Sequence, residues 1–321
     1  MPSSAVRTFT DPDEYTASLC GQTSELTISG RGHFGAKAIS VNLHRLSMRR
    51  LSDNLPRIAH STDDPGIATI SFRTEPGPSL RRSGAEMLLS NLTRRGQAET
   101  YIQRSEGHAS FGSMSLSTEE MFSIGVAVAG CDLRPPKDAL TITPSPVAMN
   151  RLQRLHAAAG LLAEDAPAVL AHPEAARGLE QALIEAMVAC LGSAETHEDG
   201  AARRQHTAIM RRFYNTIERH LDEPLYIPEL CAEIGASERT LRVCCQEQLG
   251  ISPKRYLLVR RMHLARRALR SSSTDDTTVT EIATRYGFWQ FGRFAGVYKE
   301  LFGESPSTTL SHPSGSQRHS K

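Results

Sequence analysis

The sequence predicts a two-domain protein in which a β-rich N-terminal half precedes an all-α C-terminal half with two helix-turn-helix units. Three observations favour this fold class. The length of 321 residues suits two domains. Residues 39–116 consist of short alternating or β-branched segments separated by turn signals. Residues 211–310 contain the same pattern twice: a helix, a three-residue turn that opens on glycine, and a second helix.

The first helix-turn-helix pattern begins with an apolar-periodic run over residues 225–234. Gly235 opens the turn, since a residue without Cβ enters the left-handed region at little cost. Ser237 is expected to cap the next helix, residues 238–248, by accepting a hydrogen bond from the backbone N–H of Thr240. In this motif the second helix enters the major groove of DNA.

The second pattern repeats the first in register. It predicts a helix over residues 279–286, a turn over residues 287–289 and a recognition helix over residues 290–302. Cys231 and Ala283 each lie four residues before a turn glycine. At that position the paired helices cross, so only a small side chain fits.

A further helix, residues 253–270, is expected to join the two patterns, with Ser252 as its cap and Pro253 at its first position. One apolar stripe at helical spacing runs along it, formed by Tyr256, Val259, Met262, Ala265 and Leu269. The helix would be about 28 Å long, close to the about 34 Å of one DNA turn. The two recognition helices are therefore expected to enter successive major grooves on one face of DNA.

These motifs resemble the AraC/XylS family of bacterial transcription regulators over about a hundred residues. The residues that carry the resemblance are Ser237, Arg239, Leu241, Gly250, Ile251, Ser252, Pro253, Tyr256, Arg260, Arg261, Met262, Ala265, Arg266, Ile282, Ala283, Gly287, Phe288, Phe294, Tyr298, Lys299, Phe302, Gly303 and Pro306. The turn and core signature consists of Gly235, Gly287, Phe288, Phe294 and Pro306. Val243 and Cys245 depart from the pattern, because the family usually carries Arg and a core Phe there. The first half-motif is therefore expected to read fewer bases and to pack less tightly.

Two groups of residues are candidates for contacts with DNA. Arg239 and Arg242 lie three apart on one helix face, and Arg paired with guanine is the commonest specific contact. In the second recognition helix the resemblance implies that the groove is faced by Phe291, Gly292, Arg293, Ala295 and Gly296. Of these, Arg293 alone has side-chain donors, and it is the third candidate base reader. Backbone contacts and caps are assigned to Ser237, Thr240, Gln246, Lys254, Arg255, Gln290 and Lys299.

The charge of the chain is unevenly distributed. Residues 203–321 carry 19 Lys and Arg against 12 Asp and Glu, whereas residues 1–202 carry 18 against 23. The basic C-terminal half can contact phosphates and release counterions, which is the sequence-independent part of affinity for DNA. An all-helical domain that binds a protein is the alternative, and the charge favours DNA.

The N-terminal part is expected to begin with a flexible arm, residues 1–27, followed by a β-rich domain over residues 28–192. Candidate strands are residues 39–48, 67–72, 86–92, 98–103 and 109–116. They predict a small β-barrel or sandwich, and the family resemblance implies a cupin-like domain for effector binding or dimerisation. The remaining predicted segments are a linker over residues 193–202, a DNA-binding domain over residues 203–310 and a disordered tail over residues 311–321.

A capping box at Ser117 and Glu120 predicts a helix that ends near Gly130. A helical pair is expected over residues 145–192. Its second helix carries an apolar stripe, which packs on its own domain or forms the seam of a homodimer. The seam residues are Leu179, Leu183, Met187 and Leu191.

Several kinds of chemistry have no signal in the sequence. There is no P-loop, no Rossmann glycine pattern and no G-x-S-x-G motif. His33, His44, His60 and His108 are isolated, and no C-x-x-C pair occurs among the six cysteines. We therefore expect no metal, no cofactor and no catalytic residue. Cys244 and Cys245 are adjacent on a recognition helix, where they form either a redox switch or an ordinary core.

The sequence contains no apolar run near 18 residues and no signal peptide, so a cytoplasmic location without membrane contact is expected. We expect a sequence-specific transcription regulator, an activator, that binds double-stranded DNA as a homodimer. A small-molecule effector and RNA polymerase are its expected partners. Two alternatives stay open: a cupin-type metal enzyme fused to a DNA-binding domain, and a dimeric regulator that needs no ligand.

Overall fold

The structure is a computed structural model that describes residues 2–19, 22–97, 99–192, 195–197, 201–220, 225–274 and 276–312. The chain forms two compact units. The first unit comprises Met1–Leu26, Phe34–Asn54 and Ala59–Ala201. The second comprises Thr27–His33, Leu55–Ile58 and Ala202–Lys321.

The strands lie in two sheets. In chain order they are β1 (Ser3–Phe9), β2 (Gln22–Ile28), β3 (Ala36–Asn42), β4 (Ser47–Asp53), β5 (Arg57–Asp63), β6 (Ile67–Arg73), β7 (Leu80–Arg82), β8 (Ala85–Glu86), β9 (Leu92–Arg94), β10 (Thr100–Ser105), β11 (Ala109–Ser117), β12 (Leu140–Thr143) and β13 (Glu195–His197). The larger sheet has the order β1-β3-β4-β11-β6-β9-β12-β13, and the smaller has the order β2-β5-β10-β7-β8. The β-rich N-terminal half is thus confirmed. Each sheet runs between two different edge strands, so within the described residues neither closes into the predicted cupin-like barrel.

The helices of the first unit are α1 (Pro12–Ala17), α2 (Thr118–Ile124), α3 (Pro146–Asp165), α4 (Pro167–Ala171) and α5 (Pro173–Gly192). The predicted capping box opens α2, which continues as a π-helical stretch, Gly125–Ala129. The main core is formed by one face of the larger sheet together with α3 and α5. On β6 this face carries Ala68, Ile70 and Phe72. Such alternation buries one face of a strand against helices.

The prediction of a flexible arm over residues 1–27 is wrong, because most of its described residues lie in β1, α1 and β2. β1 pairs antiparallel with β3 from Ser3↔Asn42 to Phe9↔Ala36. Tyr15 on α1 is buried, and its ring lies 5.6 Å from the ring of Phe9. Backbone hydrogen bonds and one aromatic anchor therefore hold a segment whose polar composition suggested mobility.

Three other predicted boundaries also differ. The candidate strand 39–48 is divided between β3 and β4, because a turn closes where the Leu43 N–H donates to the Leu46 carbonyl. The candidate strand 86–92 is mostly loop between β8 and β9. Within the predicted linker, β13 pairs with β12. Residues 193, 194 and 198–200 of that linker, and residues 313–321 of the predicted tail, lie outside the described residues.

The structure contradicts the homodimer seam on α5. Leu183 and Met187 are fully buried in the core of the first unit. Leu179 and Leu191 are partly buried and pack against the same cluster. The apolar stripe therefore packs on its own domain, and its buried members are not available to a partner subunit.

The second unit contains seven helices within residues 201–220, 225–274 and 276–312. They are α6 (Ala201–Arg219), α7 (Ile227–Ile234), α8 (Glu238–Leu249), α9 (Pro253–Ser271), α10 (Val279–Arg285), α11 (Phe291–Phe302) and α12 (Pro306–Ser311). The predicted pairs of short helices are α7 with α8 and α10 with α11. The helix between the pairs is α9.

Candidate nucleic-acid interface

The first helix-turn-helix is built as its sequence predicts. Gly235 ends α7 with a φ of 64°, in the left-handed region that favours glycine. The Ser237 hydroxyl accepts a hydrogen bond from the Thr240 amide at 3.1 Å and so caps α8. Leu241 is fully buried and anchors α8 to the core. These contacts leave the opposite face of α8 in solvent.

The second helix-turn-helix repeats this construction with one change. Thr278 and Glu281 form a capping box at the start of α10. Gly287 has a φ of 74°, and the Phe288 ring packs 4.9 Å from the ring of Phe294, the buried anchor of α11. Gln290 occupies the cap position of α11, but its side chain makes no capping hydrogen bond. Its amide group is exposed at the start of this helix.

Helix α9 connects the cores of both halves. The Ser252 hydroxyl caps it by accepting from the Arg255 amide at 3.3 Å. All five residues of its predicted stripe are buried to at least 99%. Tyr256 packs against Phe213 and Tyr214 of α6, with ring centres 5.8 and 5.6 Å away. The other four stripe residues, Val259, Met262, Ala265 and Leu269, belong to the core of the second half.

Helix α6 is a part of the first half that the sequence interpretation did not use. Its buried residues are Ile209, Met210, Phe213, Tyr214 and Ile217. Their spacing of three and four residues is an amphipathic helical signal that could have identified it. At position 245 the family usually carries a core Phe, and here α6 packs against the smaller Cys245. The Cys245 thiol lies 3.9 Å from the Met210 sulfur.

The paired cysteines of α8 belong to the core. Cys244 and Cys245 are fully buried. Burial raises the pKa of Cys244 to about 11, and it also raises the pKa of Cys245. A redox switch needs accessible thiolates, so these cysteines act as small apolar residues.

The exposed face of α8 carries the predicted base readers. Arg239 and Arg242 are both exposed. Arg242 pairs with Glu238 at 2.6 Å, whereas no described carboxylate pairs with Arg239. Val243 lies on the same face and is 49% exposed, where the resembling family usually carries Arg. Arg239 is therefore the donor most open to a ligand on this helix.

Other predicted contact residues lie around the two recognition helices. Lys254 and Arg255 are exposed in the first turn of α9, and Lys299 is exposed on α11. Gln246 is exposed on α8, and its amide donates to the Gly250 carbonyl at 3.4 Å. Pro306 is buried at the start of α12.

The N-terminal part of α11 exposes apolar residues together with one arginine. Phe291, Gly292 and Gly296 are exposed on it, and Arg293 is exposed beside them. A Cβ added to either glycine would meet nothing within 4 Å. The fold itself therefore does not require glycine at these positions. The carboxylate of Glu300, further along the helix, is paired with Arg31 of the same compact unit.

Trp289 was missed as a candidate site residue. It lies in the turn before α11 and is 74% exposed. It lines a cleft of about 570 Å³ together with Lys254, Arg255 and Arg293. Arg261 forms the inner wall of this cleft, with its guanidinium 5.2 Å from the centre of the Phe288 ring. Its position could have identified it from the sequence, because a large aromatic residue directly precedes the predicted recognition helix.

Among the residues that the structure describes, no group of three His, Cys, Asp or Glu side chains is arranged to hold a metal ion. No helix in the described part of the chain is long and apolar enough to cross a membrane.

Comparison with known proteins gives a family match in the C-terminal unit and several similar proteins. A family described as a helix-turn-helix domain matches residues 230–312. The probable thc operon regulatory protein of Rhodococcus erythropolis is 42% identical over 102 residues, which are 32% of this chain and 31% of that protein. XylDLEGF operon transcriptional activator 2 of Pseudomonas putida is 33% identical over 100 residues, 31% of this chain and 64% of that protein.

A solved structure, described as a probable AraC family transcriptional regulator from Rhodopseudomonas palustris CGA009, is 36% identical. The match covers 32% of this chain and 94% of that chain, with a TM-score of 0.29. Residues 230–312 of the C-terminal unit are thus a helix-turn-helix domain. This domain is similar to those of AraC/XylS-type transcription regulators, as the motifs predicted. The match spans 31% of the length of the Rhodococcus relative.

Replacing Gly296 by Ala tests whether this glycine serves DNA binding and not the stability of α11. Because nothing surrounds the site, we expect Gly296→Ala to raise the free energy of unfolding by up to about 1 kcal/mol. The added methyl group should at the same time weaken DNA binding, since it holds the backbone away from the groove. Gly178→Ala is the matched control, because Gly178 is also helical and open. It should stabilise the protein without changing its affinity. Unchanged DNA affinity in Gly296→Ala would remove the close-approach role.

Proposed function

We propose that this protein is an effector-responsive activator of transcription that reads two successive major grooves of DNA with α8 and α11. The observation that carries the proposal is the shared packing of α9. Its buried stripe joins the core of each half, so the two recognition helices are held at a fixed separation. At about 28 Å for its 19 residues, α9 suits the about 34 Å repeat of DNA.

The charge of α9 supports the same proposal. This helix contains seven Lys and Arg residues and no Asp or Glu. Lys254 and Arg255 are exposed at its N-terminal end, close in sequence to the end of α8. We assign these two residues to phosphate contacts, which position a protein on DNA, and Arg239 to a base contact, which supplies specificity.

The similar regulators support activation of transcription. The Pseudomonas putida relative is named as a transcriptional activator. The similarity to regulators also favours DNA binding over enzymatic activity as the role of this chain. The homodimer and the contact with RNA polymerase stay predictions of the sequence.

The first unit offers a second, polar interior that suits an effector. Because Ile70 and Phe72 face the apolar core, alternation turns Ser71 and Arg73 of β6 to the opposite side. Both are buried. Gln103 on β10 is buried as well. The larger and smaller sheets are joined here by polar contacts, since Arg95 pairs with Asp63 at 2.6 Å.

Arg82 is the residue of this interior that most needs a further ligand. It is 4% exposed, and its guanidinium lies 3.4 Å from the centre of the Tyr101 ring. It donates to Glu99 at 3.1 Å, but its Nε and Nη1 have no hydrogen-bond partner among the described residues. Buried donors without partners are costly. We therefore propose that the effector is a small molecule with a hydrogen-bond acceptor, such as a carboxylate, that reaches this guanidinium.

Two variants distinguish a base contact from a phosphate contact. Arg239→Ala should weaken binding to a duplex selected by the protein by about 1–3 kcal/mol and relax the preference at one base pair. Lys254→Ala should weaken binding to all duplexes alike and reduce the slope of log affinity against log salt by about 0.9. Fluorescence anisotropy over a salt series measures both effects. An equal loss for Arg239→Ala on selected and random DNA would contradict its role as a base reader.

The effector proposal is tested by thermal unfolding of the full chain against a panel of small carboxylates and ketones. A true effector at one hundred times its Kd should stabilise the first unit by about 2.7 kcal/mol. Arg82→Met should remove this stabilisation, because it keeps the bulk on Tyr101 but has no N–H donors. A compound that stabilises Arg82→Met as well as the parent protein would show that Arg82 does not bind it.

A further inference from the structure

The N-terminal end of α11 exposes aromatic side chains, whereas the corresponding end of α8 exposes arginines. Phe291 is 42% exposed, and Trp289, two residues earlier, is 74% exposed. Phe294 and Tyr298, three and seven residues after Phe291, are buried in the core. Phe291 lies on the same side of α11, at the first position of the helix, where part of its side chain is exposed. Phe291 and Trp289 lie at the N-terminal end of the helix, which is the end that contacts base edges in helix-turn-helix proteins.

We propose that α11 recognises thymine by its C5-methyl group, with Phe291 as the main contact and Trp289 beside it. This inference rests on the proposed function, in which α11 enters a major groove. Among the groups that base pairs present there, the thymine methyl is the apolar one. A phenyl ring can bury this methyl, but it has no donor for the guanine acceptors that arginine pairs with.

The glycines on the solvent-exposed side of α11 give the methyl group access. Gly292 directly follows Phe291, and Gly296 lies one turn after Gly292. Both are exposed and have open space at the position of a Cβ. With no side chains there, the helix backbone can approach the floor of the groove. The ring of Phe291 can then reach a methyl group without steric conflict from its neighbours.

The charges around this apolar face identify duplex DNA as its occupant. Lys254, Arg255, Arg293 and Lys299 are exposed around it, and the first three line the cleft next to Trp289. Glu300, the acidic residue of the helix face, is neutralised by Arg31. An apolar strip between exposed cations complements base edges that lie between two phosphate backbones.

The two halves of the binding site should therefore differ in composition. Arg239 and Arg242 of α8 present guanidinium groups, which favour guanine. Phe291 of α11 favours thymine. The expected site has a guanine-containing half and a thymine-containing half whose centres lie about one helical turn apart.

The test uses the full chain and a duplex that it selects from a random library. Thymine is replaced by deoxyuridine, which lacks the methyl group and keeps the hydrogen-bonding edges, first in one half of the site and then in the other. Loss of one buried methyl should weaken binding about fourfold in the α11 half. Phe291→Ala should bind both duplexes equally, at the weakened level.

A matched control is available within the chain. Phe122 on α2 is 41% exposed, nearly as much as Phe291, and belongs to the first unit. Phe122→Ala should keep the full fourfold sensitivity to deoxyuridine. Urea unfolding of both variants checks that each retains the fold, which is expected because both side chains lie at the surface.

Three results would overturn the inference while the proposed function stands. In the first, the parent protein binds the selected duplex but does not distinguish thymine from deoxyuridine. In the second, Phe291→Ala keeps that distinction. In the third, Phe291→Ala binds DNA like the parent protein but no longer activates transcription in a purified system, which would make the face a protein-binding surface. Failure of the parent protein to select any sequence would instead contradict the proposed function itself.

Discussion

The packing of α9 against two separate cores is the constraint on which the DNA-binding unit depends. Tyr256 fixes the start of this helix to α6, and Val259 to Leu269 fix the rest to α10 and α11. Neither half can rotate without disturbing these fully buried contacts. The two helices therefore keep a fixed arrangement, which the proposed reading of two grooves requires, although they belong to separate helix-turn-helix motifs. The exposed residues of the two helices differ, with arginines on α8 and mainly aromatic residues and glycines at the start of α11. In the proposed function, the two helices can therefore contact two different half-sites in a fixed order along DNA.

The helical half followed from the sequence because its determinants are local. Gly235 and Gly287 adopt the left-handed conformation that a sharp turn requires, and Ser237 and Ser252 make the expected caps. Turns and caps of this kind depend on residues within one helical turn. The exposed chemistry of α11 was harder to interpret. The exposure of Trp289 could not be predicted from neighbouring residues, because it depends on which side chains of α11 are buried in the core.

The sequence predicted that the N-terminal half is rich in strands, but it did not predict which elements pair or pack together. β1 is held by ladder hydrogen bonds to β3, which leave little trace in side-chain composition. The stripe on α5 had two possible partners, and sequence spacing alone cannot show that Leu183 and Met187 meet the larger sheet. The contacts among Arg82, Tyr101 and Glu99 join β7 to residues about 20 positions away. Such polar clusters are set by sheet topology, which the pattern of strands left open.

In the proposed function, α8 and α11 occupy successive major grooves on one face of DNA. Hydroxyl-radical footprinting of the full chain on a selected duplex tests it most directly, because protection reports the position of the protein along each strand. We expect two protected patches on the same face of the duplex, with centres about 10 base pairs apart. A single patch, or two patches on opposite faces of the duplex, would contradict it.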